Sequence, residues 1–186
     1  MRARQLEMTL DHNSTRGPAD LFSRMRELRN SRMLPVGGRG INAPEIDAED
    51  AATILIASAG SLKATEAPDA VRRFAPLVEH GTAAEITLGE ALTSILGNPE
   101  LARLVDSVRF NLSHTTAEIM FDGGRVRYFF PAGVDVRGKP EAYGKSGLSD
   151  HCVIGGGLVH QVANELAEDD ETPAVWGKPP TLPRQE

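Results

Sequence analysis

The chain has 186 residues, of which 40% are apolar and 25% charged, enough to bury one ordinary core or a helical domain with a small β appendage. No apolar run approaches the ~20 residues that span a bilayer, and the opening MRARQLEMTLDHNSTRG lacks the continuous apolar stretch of a secretory signal. The net charge is −6, and a single cysteine, Cys152, excludes an internal disulfide, so a cytoplasmic location is expected.

In chain order, residues 1–17 show little periodicity and end in NSTRGP, which predicts a flexible arm. A first helix is expected over Pro18–Asn30, with Leu21, Phe22, Met25 and Leu28 as its apolar stripe and Arg24 and Arg26 flanking it. Arg29 and Arg32 fall on the apolar side of that wheel, so the helix is expected to fray near Asn30 and leave Arg32 in a loop. Pro35, Gly37, Gly38, Gly40 and Pro44 make 33–44 irregular.

Asp47 is placed to cap a second helix, AEDAATILIASA, whose apolar character all round predicts burial; Gly60 and Ser61 end it. A third helix is expected over Thr65–Ala75, with Val71, Phe74 and Val78 inward and Arg72 and Arg73 outward. Thr87 and Glu90 form a capping box for a fourth helix ending at Gly97. Asn98 and Pro99 then open a fifth, carried by Leu101, Leu104, Val105 and Val108.

The period changes after residue 108. Ala117, Ile119 and Phe121 alternate on one strand and Val126, Tyr128 and Phe130 on the next, joined by the turn at Asp122, Gly123 and Gly124. A third strand is expected from Val108–Ser113, because a lone hairpin is marginal in water. Residues 131–149 read as a long loop, and Leu158, Val159, Val162 and Leu166 as a last helix. Four prolines and an acidic run make 168–186 a disordered tail. The expected fold is therefore α+β, mainly α: about five helices over 18–108, then a hairpin or three-stranded sheet with a C-terminal helix over 109–167.

Charge is unevenly spread. Residues 1–40 hold eight Arg, no Lys and four acidic groups, whereas the remainder is strongly acidic. Arg24, Arg26, Arg29, Arg32 and Arg39 are candidate phosphate contacts, because guanidinium groups stay charged and donate in a planar fork. The second and third helices are candidates for a helix-turn-helix, with Arg72 and Arg73 as groove readers, although their connection is longer than the usual turn. The glycine loop has neither the GKS/T ending of a Walker motif nor GxGxxG spacing, so no nucleotide cofactor is expected.

Asp150, His151, Cys152 and His160 lack the spacing of a zinc site, and adjacent His151 and Cys152 are poorly placed as base and nucleophile. No metal site or catalytic group is expected. Trp176, alone in the tail, is a candidate partner anchor.

The stretch Leu34 to Pro44 (LPVGGRGINAP), followed by Glu49-Asp50-Ala51-Ala52 and Leu55-Ile56-Ala57, resembles small proteins of prophages and other mobile elements of α-proteobacteria. The resemblance covers roughly residues 20–80. It implies a bacterial cytoplasmic context and a regulatory or accessory role, and carries no functional residues with it. The expected function is thus a non-enzymatic, DNA-binding transcription regulator of a phage or mobile element, possible as a homodimer. The alternative is a protein-binding adaptor or antagonist acting through the β-hairpin edge or the acidic tail.

Overall fold

Helix starts in this chain are written by short polar side chains that answer free backbone N–H groups. In the computed structural model, which describes residues 5, 6, 8, 9, 18–36, 44–83, 85–134 and 150–171, Asp47 accepts from the Asp50 N–H at 2.8 Å and opens α2, Ala48–Gly60. Thr87 and Glu90 exchange hydrogen bonds at the start of α4, Leu88–Leu96. Those bonds hold the exposed Glu90 carboxyl below the usual carboxylate range. Asn98 caps α5, Pro99–Arg103, through the Leu101 N–H.

The remaining helices are α1, Pro18–Asn30, α3, Ala67–Phe74, which follows a 3-10 turn over Ala64–Glu66, and α6, Gly156–Glu171. Five strands accompany them: β1, Val78–Glu79; β2, Val105–Asn111; β3, Thr116–Phe121; β4, Val126–Phe130; and β5, His151–Gly155. They form one antiparallel sheet in the order β1-β4-β3-β2-β5. The fold is α+β as expected, with more sheet than the sequence reading foresaw.

Alternation decides which face is buried. Val108, Phe110, Ala117, Ile119, Phe121, Phe129 and Ile154 are buried on the inner face, where α2, α5 and α6 meet the sheet. Phe74 on α3 meets Phe110 edge-to-face with centroids 5.4 Å apart. Among the described residues one hydrophobic cluster runs from α1 through α4 to α6, and residue 108 lies in the middle of β2.

Three expectations are corrected here. The fifth helix stops at Arg103, and Val105 and Val108 belong to β2. Both are buried although three residues apart, because the register shifts between Val105 and Ser107; a strand with one extra residue imitates helical spacing. Val78 lies in β1 rather than on the inner face of a helix. The 1–17 arm is not free along its whole length. Leu6 is wholly buried in the core, and the Thr9 hydroxyl donates to Glu165 at 2.6 Å.

The acidic start of α2 gives the fold a pH dependence. Burial first, and then the neighbouring Asp47 and Glu49 carboxylates, push the Asp50 carboxyl from 3.8 up to about 6. The folded chain therefore holds that proton more tightly than the unfolded one, and ionisation of Asp50 costs stability. This group alone makes the fold more stable as pH falls from about 6 towards 4. In Asp50→Asn that contribution should vanish, which a series of urea midpoints across this range would show.

Candidate nucleic-acid interface

The arginines singled out by the sequence do not form one patch. Arg24 is 1% exposed. Its guanidinium bridges Asp20, at 2.7 and 3.4 Å, and the C-terminal end of α2. There Nη1 donates to Ala57 O at 3.2 Å, Ser61 O at 3.4 Å and Ser61 Oγ, while Nη2 donates to Leu62 O at 3.2 Å. A planar fork with five N–H groups suits this task, since the Asp20 carboxylate and four further oxygens lie around it. Arg24 is thus part of the packing between α1 and α2, which corrects the expectation that it flanks the buried stripe.

Arg73 serves the same helix end from another side. Its Nη2 donates to Gly60 O at 3.3 Å, and its guanidinium carbon lies 5.6 Å from the Phe74 ring centroid. α2 carries no basic residue in its own last turn, so Arg24 and Arg73 supply the positive charge that its carbonyl end favours. Arg72 and Arg73 both face outward, as expected, but Arg72 is paired with Asp69 at 2.7 Å on the exposed side of α3. A carboxylate beside a groove-reading arginine opposes phosphate approach. The α2–α3 pair therefore has a poor electrostatic face for a recognition element, with only eight residues in α3.

What remains is the outer side of α1. Leu21, Met25 and Leu28 are buried, but Phe22 is 56% exposed, against the expectation that it belongs to the apolar stripe. Phe22, Arg26 and Arg29 follow i, i+4, i+7 spacing and so line one side of the helix. Arg26 is exposed and, among the described residues, pairs only with Glu27, at 3.4 Å. Among the described residues Arg29 and Arg32 have no carboxylate within ion-pair distance.

The end of α1 explains where Arg32 goes. Met33 N–H donates to Leu28 O at 2.9 Å and Arg32 N–H to Arg29 O at 3.0 Å, the paired bonds of a Schellman closure. In that closure the residue after the cap takes a left-handed backbone, and Arg32 does so with φ of 58°. Glycine fills this position most often, because a Cβ there costs about 1–2 kcal/mol. An exposed arginine occupies it instead.

Sequence reasoning missed Phe22, although its four- and seven-residue spacing to Arg26 and Arg29 was available. It also missed the burial of Arg24, whose signal was Asp20 one turn earlier. Arg39, the glycines around it and Trp176 lie outside the described residues. His151 and Cys152 alternate across β5, and His160 is hydrogen-bonded to Asn164 at 3.1 Å on α6. No group of three His, Cys, Asp or Glu side chains among the described residues is placed to hold a metal, and none of the described helices is long and apolar enough to cross a membrane.

No family model, curated protein or solved structure matches this chain. Its functional reading therefore rests on these side chains alone.

The alternative surface also needs revision. Among the described residues β2 lies beside β3, and β1 pairs with Phe129 and Phe130 at one end of β4, so little of the hairpin is left for strand addition.

Proposed function

We propose that the chain is a non-enzymatic DNA-binding regulatory protein whose phosphate contacts come from the outer side of α1 and the turn that closes it. The observation that carries this reading is Arg32: a charged, exposed residue in a left-handed position that favours glycine, one turn from Arg29, which has no carboxylate within ion-pair distance among the described residues. A residue that occupies a position against its backbone preference points to a use for its side chain. Arg26 and Arg29 extend the same cationic strip, exposed Phe22 offers a ring at its end, and Arg39 follows seven residues further along the sequence. Arg72 is at most a secondary contact: Asp69 opposes a phosphate there, and the exposed pair must open before Arg72 can reach one. Arg24 and Arg73 are withdrawn from the set of contacts.

The test uses fluorescence anisotropy with a labelled duplex over a range of salt concentrations. The three contacts at Arg26, Arg29 and Arg32 predict a slope of log affinity against log salt of about −2.7, and steeper by about 0.9 for each of Arg39 and Arg72 that also meets a phosphate. Arg32→Gly is the most informative single change. It relieves the left-handed strain, so the fold should be as stable as before or more so by about 1 kcal/mol, while affinity falls and the slope shrinks by about one. Affinity that is independent of salt, or unaltered in Arg32→Gly and in the Arg26→Ala, Arg29→Ala pair, would overturn the reading.

A further inference from the structure

The two edges of the sheet are treated differently by the chain. Beyond β1, the sequence folds back on itself: Val78 bridges Thr87, Glu79 N–H donates to Ile86 O at 2.9 Å, and Leu88 N–H donates to Leu77 O at 2.7 Å. That edge is occupied.

β5 is the other edge, and its hydrogen-bond phase can be read from one bond. Leu112 N–H donates to Asp150 O at 2.9 Å, so Leu112 and Asp150 form a hydrogen-bonded pair of the antiparallel ladder. Pairs alternate from there. With Phe110 opposite Cys152 and Val108 opposite Ile154, those two are hydrogen-bonded, and Arg109 opposite Val153 is not. The N–H and C=O of Val153 consequently point away from β2, and among the described residues nothing accepts from or donates to them.

Edge strands are ordinarily blunted by charge, proline or a bulge. The segment HCVIG has none of these: it carries no formal charge, and its register against β2 is unbroken. The Val153 side chain is 55% exposed on the outer face of the sheet. We propose that β5 pairs antiparallel with β5 of a second copy of this chain, about a two-fold axis at Val153. Two-fold closure requires a self-complementary strand, and this one is. Val153 meets its own copy and exchanges both backbone bonds with it. Cys152 falls opposite Ile154, and the side chain of His151 falls opposite Gly155, which leaves room for it. No like charges are brought together in the paired strands, whereas a strand from a basic or acidic partner would find no complementary charge on HCVIG. The contact is one strand wide, so the dimer separates on dilution. This inference does not depend on the reading of the α1 arginines.

Light scattering over a dilution series should give a dimer mass that falls towards the monomer. Val153→Lys places an ammonium against its own copy at the axis and should leave a monomer with unchanged circular dichroism. In a Cys152→Ser background, Val153→Cys should form an intermolecular disulfide under mild oxidant, since hydrogen-bonded antiparallel partners have Cα atoms about 5.5 Å apart, within disulfide reach. A monomer at every concentration would overturn the proposal. So would a dimer that survives Val153→Lys, or one that gives no cross-link at position 153.

Discussion

Replacing Arg24 by alanine is expected to lower the unfolding free energy by about 3 kcal/mol, the lower end of the range for removing one member of a buried ion pair, because Arg24 is buried while Asp20 is 33% exposed. The loss has two parts. Asp20 keeps its charge beside a site that no longer answers it, and the carbonyls of Ala57, Ser61 and Leu62 lose donors that water cannot easily replace. In a chain of this size such a loss lowers the melting temperature by on the order of 10 °C. Arg24→Lys should recover little, because one ammonium group cannot reach acceptors spread around a planar fork. Differential scanning calorimetry of both variants checks this. Melting temperatures for Arg24→Ala within a degree or two of the parent would show that the buried network contributes nothing. The contrast with Arg32→Gly is the useful one: within a single helix and its turn, one arginine is expected to govern stability and another affinity.

Gly156→Ala should be as costly, at about 3 kcal/mol, the upper end of the usual penalty for overfilling a packed site. A Cβ at position 156 would lie 1.8 Å from Val105 O, 2.7 Å from Val105 C and 2.8 Å from Asp106 O. All three are backbone atoms of the segment where β2 begins, so no side chain can turn aside to make room. Either α6 lifts away from β2 or the irregularity between Val105 and Ser107 is lost. The next residue is the control. A Cβ on Gly157 meets nothing within 4 Å, so Gly157→Ala should leave stability unchanged or raise it by about 0.5–1 kcal/mol through helix propensity. Urea denaturation of the two variants separates close packing from propensity; equal midpoints would contradict the tight approach of α6 to β2.

The parts of this fold that were legible in the sequence are those set by local chemistry. Asp47, Thr87 with Glu90, and Asn98 with Pro99 each mark a helix start that depends on three or four neighbouring residues, and all three are where they were expected. The turn at Gly123 and Gly124, both with φ of 80°, is equally local. What escaped was set at a distance. β1 has two residues, too few to show alternation, and exists because Phe129 and Phe130 of β4 are there to pair with it. β5 was hidden in a run of glycines and has no register until β2 supplies one. The arginines divide in the same way. Arg32 was placed correctly after the end of its helix, a local matter, whereas the burial of Arg24 depends on Ser61 and Leu62, which are brought to it only by packing.

The closed side of the sheet limits what assemblies the molecule can build. Among the described residues, with 86–88 lying along β1 and β1 along the end of β4, the far side of the sheet offers no second edge as long as β5. Sheet extension therefore terminates after one addition. A single edge that is self-complementary leads to a finite pair, and the endless stacking that makes flat sheets prone to fibres has no second edge from which to propagate.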